Sequence, residues 1–308
     1  EKMRSGYYSD KYFVRAREVL LADGYRPRVT MQVFGKQHAF LGGVDEAIAI
    51  LKLCAIEWPE LEVLALYDGD EVEPWETVML ITGPYDAFAH LETLYLGVLA
   101  RRTRVGTNTR RVVEAAHPKQ VMFFPARHDH WLVQTGDGYA AHIAGAIGVS
   151  TDAQASWWGS EGIGTVPHAL IAAYGGDTVR ATAKFIEHSA ADIQVVTLVD
   201  FENDCVKTSL EVARAFGPRL YGVRLDTSEM LVDKSVLSQQ GRFRPTGVNP
   251  QLVRNVRRAL DAEGFQQVRI VVSGGFNVDK IHEFESQQVP VDAYGARIVV
   301  RPRRLSSG

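Results

Sequence analysis

The sequence predicts an α/β fold: an α/β barrel over residues 106–308 behind an N-terminal α+β domain, residues 1–105, that carries the linking helix. Two observations predict it. Beyond about Arg104, short apolar strand-like runs alternate with helix-like segments, the signature of successive βα units around a parallel sheet. Those runs also end on polar groups or glycines: Ile193 to Val199 on Asp200, Leu220 to Leu225 on Asp226, Val268 to Val272 on Ser273-Gly-Gly, and Val291 to Tyr294 on Gly295. α/β folds build sites at the carboxyl ends of parallel strands, and four such ends in series favour a barrel over its competitor, a doubly wound open sheet.

Within the first third, Asp10 to Leu21 carries apolar residues at helical spacing, and Asp23-Gly24 supplies the stop. Val29 to Gly35 alternates like a strand, Val44 to Ile56 reads as a second helix, and Glu62 to Tyr67 and Val78 to Ile81 read as further strands. A long helical stretch follows from Ala87 to about Ala116. In the barrel the strand Gln120 to Phe124 opens the series. The helices Asn203 to Phe216, Asn249 to Glu263 and Val278 to Ser286 each show an apolar stripe of period 3.6, with Asn at the start of the first two.

Composition bounds the function. Lys plus Arg (34) against Asp plus Glu (37) leaves a net charge of −3, so no global positive field attracts nucleic acid or acidic lipid, and an anionic ligand has to be met by a local site. No apolar run reaches the ~18 residues of a membrane span. Cys54 and Cys205 lack CxxC or CxxH spacing, which speaks against a disulfide framework or a thiolate zinc site and for a reducing cytoplasm. The first residues lack the apolar core of a signal peptide, and the closing Arg301-Pro-Arg-Arg-Leu-Ser-Ser-Gly is linker-like. Dinucleotide and P-loop fingerprints are absent from the sequence.

Several residues stand where chemistry is built. Ser273, Gly274 and Gly275 follow a strand and precede a helix, so freed amides can face an anion; the alternative is an ordinary βα turn whose glycines only permit positive φ. Asp200 and Asp226 end strands and need partners, since a bare buried carboxylate is costly; they suit sugar hydroxyls or water-held Mg²⁺. Arg224 lies two residues before Asp226, on the same strand face, either as part of an anion site or as a structural ion pair. Phe124 and Arg127 pair an aromatic face with a guanidinium, which suits a flat anionic ring. Asp129 and His130 next to them lack a third ligand at recognisable spacing for a metal. His168 opens a helix after a Gly-rich turn, where a neutral imidazole is available as nucleophile or acceptor, or is simply structural. Arg101, Arg102, Arg104, Arg110 and Arg111 form either a cationic cluster that can receive an anionic group or a solvated helix face.

In their order along the chain, Leu91-Glu-Thr-Leu-Tyr-Leu-Gly97, Phe124-Pro-Ala-Arg127, Gly164-Thr-Val-Pro-His168, Val223-Arg-Leu-Asp226 and Ser273-Gly-Gly-Phe276 resemble the type II phosphoribosyltransferases of NAD synthesis, above all the nicotinate-using members. The likeness runs from about residue 7 to residue 300. It implies an incomplete barrel with a sandwich-like N-terminal domain, and transfer of phosphoribosyl from 5-phosphoribosyl-1-pyrophosphate (PRPP) to nicotinate, giving nicotinate mononucleotide and pyrophosphate. It also implies roles. Phe124 stacks on the pyridine, Arg127 meets the carboxylate, and Tyr12 of a partner subunit covers the other face. Asp152 borders the pyridine pocket and Thr165 lies on the substrate side. Arg224 and Asp226 hold the ring end and ribose hydroxyls, with Asp200 alongside, and Ser273, Gly274, Gly275 and Gly295 cradle the 5-phosphate. His168 occupies the place of the histidine that ATP-coupled members phosphorylate. Mg²⁺ enters with the substrate, near Asp226, and the assembly is a homodimer or higher homo-oligomer.

The chain departs from the family pattern at Asp226-Thr-Ser, at the glycine-poor stretch 294–299, and in a short tail without zinc-binding cysteines. Quinolinate carries a second carboxylate, whereas the 124–128 stretch holds one arginine, and nicotinamide lacks the charge that Arg127 suits. From other classes, a phosphosugar isomerase or aldolase needs a Lys or Glu base at a strand end, which the strand ends above lack, and a non-catalytic nucleotide-binding protein would bind without turnover.

Overall fold

The expected boundary at residue 105 falls inside one long helix. A computed structural model describes residues 1–239, 241, 243–296 and 298, and the chain divides into one unit of Glu1–Arg110 with Leu132–Gly145 and another of Arg111–Trp131 with Ala146–Ile298. Residues 297 and 299 of the glycine-poor stretch, and residues 300–308, lie outside the described residues.

The first unit contains α1 (Lys11–Asp23), β1 (Arg28–Phe34), β2 (Ala39–Phe40), α2 (Val44–Cys54), β3 (Glu62–Ala65), β4 (Glu71–Val72), β5 (Thr77–Pro84), α3 (Tyr85–Phe88), most of α4 (Glu92–Ala116) and α5 (Gln134–Ile143). Helix α1 stops as the sequence predicts: Gly24 turns left-handed at φ 65° and its N–H returns to the Leu20 and Leu21 carbonyls. The antiparallel sheet has the order β1-β5-β3, and β2 pairs with β4. Val44, Ala47 and Leu51 on one face of α2 pack with Met79 and Ile81 of β5 and with Phe88 and Leu91. Burial of each larger aliphatic or aromatic side chain contributes roughly 1.5–3 kcal/mol.

The single helix expected from Ala87 to Ala116 is interrupted. A 3-10 turn, Ala89–Leu91, separates α3 from α4. Two carbonyls that a continuous helix would use internally are taken elsewhere: Ile56 N–H donates to the Ala87 carbonyl, and the Ser9 hydroxyl donates to that of His90.

The arginines on α4 divide. Asp137 on α5 receives Arg101 Nη2 at 2.8 Å and Arg102 Nη1 at 2.6 Å, and Arg102 Nε also meets Glu46 at 2.8 Å. With the side chains of Arg102 and Asp137 only 11% and 7% exposed, Arg102 is neither a solvated surface group nor open to pyrophosphate. Arg104 and Arg111 remain exposed. Removing one partner of a buried pair strands its charge, so Asp137→Ala is expected to lower the unfolding free energy by about 3–5 kcal/mol, read from the urea midpoint.

The second unit contains β6 (Gln120–Phe123), β7 (Gly148–Val149), α6 (Asp152–Ala155), α7 (His168–Ala173), α8 (Thr178–His188), β8 (Val195–Leu198), α9 (Cys205–Phe216), β9 (Leu220–Leu225), α10 (Pro250–Ala262), β10 (Arg269–Val272), α11 (Val278–Ser286) and β11 (Ala293–Ala296). Its six strands are all parallel, in the order β7-β6-β11-β10-β9-β8. Read around the ring, chain order never reverses: the last strand, β11, pairs with the first, β6. A doubly wound sheet would reverse direction, so the strands form a singly wound, curled sheet. Met122, Val196, Val271 and Ala293, from four strands, form one cluster, which only a curl permits because β6 and β8 are four places apart in the sheet.

One extended segment, 162–166, spans the two free edges. Ile163 N–H donates to the Val149 carbonyl on β7 at 2.7 Å, and Val166 N–H donates to the Val196 carbonyl on β8 at 2.9 Å; Val166 also bridges Thr197 in parallel sense. Asn249 starts α10 as expected, its Oδ1 accepting from Leu252 N–H, whereas α9 starts one residue beyond the expected Asn203, at a cap formed by Asp204; Asn277 and Asp177 cap α11 and α8 in the same way.

Candidate active site

The carboxyl ends of β6, β9 and β10 and the edge-spanning segment converge on the Arg224 guanidinium. Because residues two apart on a strand share a face, Arg224 and Asp226 point the same way and pair at 2.8 Å through Nη2 and Oδ2. Arg224 Nε donates to Ser273 Oγ at 2.9 Å, and Nη1 donates to Thr165 Oγ1 at 3.2 Å. Ser273 Oγ in turn donates to Asp226 Oδ1 at 2.7 Å. The guanidinium carbon lies 5.8 Å from the centre of the Phe124 ring, within cation–π range.

Beside this cluster the turn after β10 is shaped by glycine. Gly274 (φ 87°) and Gly275 (φ 73°) are both left-handed, a conformation that side chains rarely adopt. Among the described residues, the N–H groups of Gly274, Gly275 and Phe276 donate to no acceptor, and they precede the positive end of α11. Unpaired amides at a helix start form an anion cradle. Lys280 Nζ donates to the Gly274 carbonyl at 3.1 Å and lies 4.3 Å from the Phe276 ring centre, which ties the helix back to the turn. Burial lowers the Lys280 pKa from its ordinary value, against the upward pull of Glu229.

Asp200 is buried two residues beyond β8. His168 Nε2 stands 3.4 Å from its Oδ1, an ion-pair distance at which Oδ1 accepts no hydrogen bond from a described residue. Burial raises the Asp200 pKa above the usual carboxylate value, with His168 pulling down and Asp226 pushing up. His168 itself is exposed at the first position of α7.

Other expected site residues lie elsewhere or act differently. Gly295, expected at the phosphate, is buried beneath Phe124: a Cβ there would lie 2.9 Å from the ring Cδ2 and 3.1 Å from Ser273 Cβ, so its missing side chain is what seats the ring. Asp152 Oδ1 accepts the Gly162 N–H at 2.9 Å. Arg127 is exposed on a single 3-10 turn, Ala126–His128, three residues beyond Phe124. Tyr12 belongs to the first unit, where its ring is exposed on α1. Among the described residues no group of three or more His, Cys, Asp or Glu is placed to hold a metal ion. The sequence analysis missed Lys280; its only local signal is a lysine one turn into the helix that follows the Gly-Gly turn.

A family model described as the N-terminal domain of quinolinate phosphoribosyl transferase matches residues 10–103. A nicotinate phosphoribosyltransferase of Mycobacterium tuberculosis is 25% identical over 329 residues, covering 94% of this chain and 68% of that protein. The nicotinate phosphoribosyltransferase of Bacillus subtilis is 22% identical over 234 residues, 75% of this chain and 44% of that one. Among solved structures, nicotinate-nucleotide pyrophosphorylase from Pyrococcus furiosus superposes with a TM-score of 0.82 at 32% identity, over 96% of this chain and 71% of its own. Human nicotinic acid phosphoribosyltransferase shares the fold, with a TM-score of 0.70 at 15% identity over 93% and 72%.

Two measurements test this geometry. Gly295→Ala is expected to displace the Phe124 ring and cost about 1–3 kcal/mol of stability, the usual penalty of overpacking, seen as a lower melting temperature. Because the raised Asp200 pKa means that the folded chain holds this proton more tightly than the unfolded chain, stability falls as pH rises from the ordinary carboxylate value through the raised one. Asp200→Asn is therefore expected to melt higher than wild type at neutral pH, with the gap closing as the pH drops below the ordinary carboxylate range.

Proposed function

The chain belongs to the type II phosphoribosyltransferases of NAD synthesis, and on that premise we propose that it transfers the phosphoribosyl group of PRPP to the ring nitrogen of nicotinate, releasing pyrophosphate and forming nicotinate mononucleotide. The observation that carries this reading is the juxtaposition of the row of amides at 274–276, which donate to no described acceptor, with the Arg224–Asp226–Ser273 network and the Phe124 ring. The first suits a 5-phosphate, the second a ribose, and the third a flat heterocycle.

In this reading the bond from the ribose anomeric carbon to pyrophosphate breaks while the pyridine nitrogen lone pair forms the new bond, and no proton changes hands. Positive charge builds on the ribose, so the protein's work is placement and electrostatics. An ionised carboxylate has about four acceptor sites; Arg224 and Ser273 use two on Asp226, which leaves capacity for ribose hydroxyls. Phe124 stacks on the pyridine and Arg127, exposed beside it, meets the carboxylate. Ser273, Gly274 and Gly275 hold the 5-phosphate, with Lys280 fixing the loop from beneath. Tyr12, exposed on α1, covers the pyridine of a second subunit in a homodimer or higher homo-oligomer. A cytoplasmic setting goes with the widely spaced cysteines, and among the described residues no helix is long and apolar enough to cross a membrane.

Magnesium belongs to the same proposal. The described residues build no all-protein cage, but Asp200 Oδ1, which accepts no hydrogen bond from a described residue and faces His168 Nε2 at 3.4 Å, suits the single carboxylate contact with which Mg²⁺ typically joins a phosphorylated substrate. Bound there, the ion would neutralise charge on the departing pyrophosphate. ATP would act through His168, exposed at the head of α7 and directed at Asp200.

Purified protein with nicotinate, PRPP and Mg²⁺ is expected to release pyrophosphate, faster than with quinolinate or nicotinamide. Arg127→Ala and Asp226→Ala are each expected to lower kcat/KM at least ~10²-fold, the scale of a misplaced substrate. Absence of pyrophosphate release with all three pyridines overturns the proposal. Addition of ATP is expected to stimulate turnover in wild type and not in His168→Ala.

A further inference from the structure

The segment that carries Thr165 and His168 depends on a contact that no substrate role explains. It leaves the edge of β7, reaches β8, and among the described residues makes its backbone bonds to those edges through Ile163 and Val166. Along it, side chains alternate: Val166 is fully buried with Ile171, Ala181 and Leu198, whereas Thr165 faces the other way and accepts from Arg224 Nη1. The position of Thr165 against Arg224 therefore follows from how the segment is anchored at both its ends, at Val166 on β8 and at its start beside β7.

That start is Gly162, whose N–H donates to Asp152 Oδ1 at 2.9 Å. Asp152 sits on a turn locked from within: Thr151 Oγ1 accepts from Gln154 N–H, and Gln154 Oε1, on a side chain 1% exposed, accepts from the Ser150 N–H and hydroxyl. Gly162 packs so closely on this turn that a Cβ there would lie 2.7 Å from the Thr151 carbonyl carbon. The turn is thus a rigid post at the carboxyl end of β7, and Asp152 is the acceptor by which it holds the segment.

We propose that Asp152 is a positioning residue: through Gly162 it latches segment 162–168 across the open edges of the sheet, so that Thr165 meets Arg224 and His168 faces Asp200. The inference rests on the reading of this site as a phosphoribosyl-transfer centre for its kinetic consequence, but the latch itself is a property of the chain alone. An amide oxygen serves the latch as well as a carboxylate oxygen does, because the requirement is an acceptor and not a charge. A residue bordering the pyridine and acting by its charge would behave otherwise.

The test compares Asp152→Asn with Asp152→Ala by amide hydrogen exchange of peptides covering residues 160–168, without substrate, and by steady-state kinetics. In Asp152→Ala these peptides are expected to exchange faster while the urea midpoint of the protein holds, and kcat/KM falls roughly tenfold, as for a displaced group and not a missing one. Asp152→Asn is expected to match wild type in both measurements. The proposal is overturned if the Asn variant is as impaired as the Ala variant, or if exchange over 160–168 is unchanged in Asp152→Ala. A wild-type protein without turnover would sink the functional reading and still leave exchange to decide the latch.

Discussion

The site depends on one partly buried guanidinium. Arg224 divides its donors among Ser273 after β10, Thr165 on the edge-spanning segment and Asp226 after its own strand, and lies beside the Phe124 ring after β6. A planar fork with five N–H donors can satisfy three elements at fixed angles, which a lysine ammonium on a flexible stem cannot do. Ser273 completes the arrangement by donating to Asp226, so each member both holds and is held. Such a network is rigid when every partner is present and loses its geometry when one is removed.

The network can form only because the parallel sheet curls. Strand ends that are distant in a flat sheet meet over the interior cluster of Met122, Val196, Val271 and Ala293, with Phe124 packed against it. The curl leaves β7 and β8 with unpaired edges, and one extended segment supplies acceptable partners to both while carrying Thr165 inward. Closing the edge and building the site are thus done by the same five residues. Asp152 matters for that reason: it holds the segment at the point where it leaves β7.

Functional geometry here is set against stability in a recognisable way. Asp200 is buried with an oxygen that lacks a hydrogen-bond partner among the described residues, and burial makes its ionised form unfavourable. The amides of 274–276 are left without acceptors, and Lys280 has been drawn into a partly apolar setting on the Phe276 ring. A chain selected for stability alone would satisfy these groups internally; sequences break such local rules chiefly where a site is built.

What the sequence by itself determined was local. The helix stop at Gly24, the left-handed Gly274-Gly275 turn, the Asn cap of α10 and the shared face of Arg224 and Asp226 all follow from steric and hydrogen-bonding rules that act within a few residues. The order of the motifs was enough to reach the barrel and the family. Only the tertiary structure decided which distant groups meet. Thr165 reaches Arg224 across 59 residues and Ser273 across 49, Asp137 neutralises Arg101 and Arg102 from another helix, and Gly295 makes room for Phe124. Such pairings depend on strand register and on the curl of the sheet, which no short-range pattern encodes; the bond from Gly162 N–H to Asp152 Oδ1 is another of them.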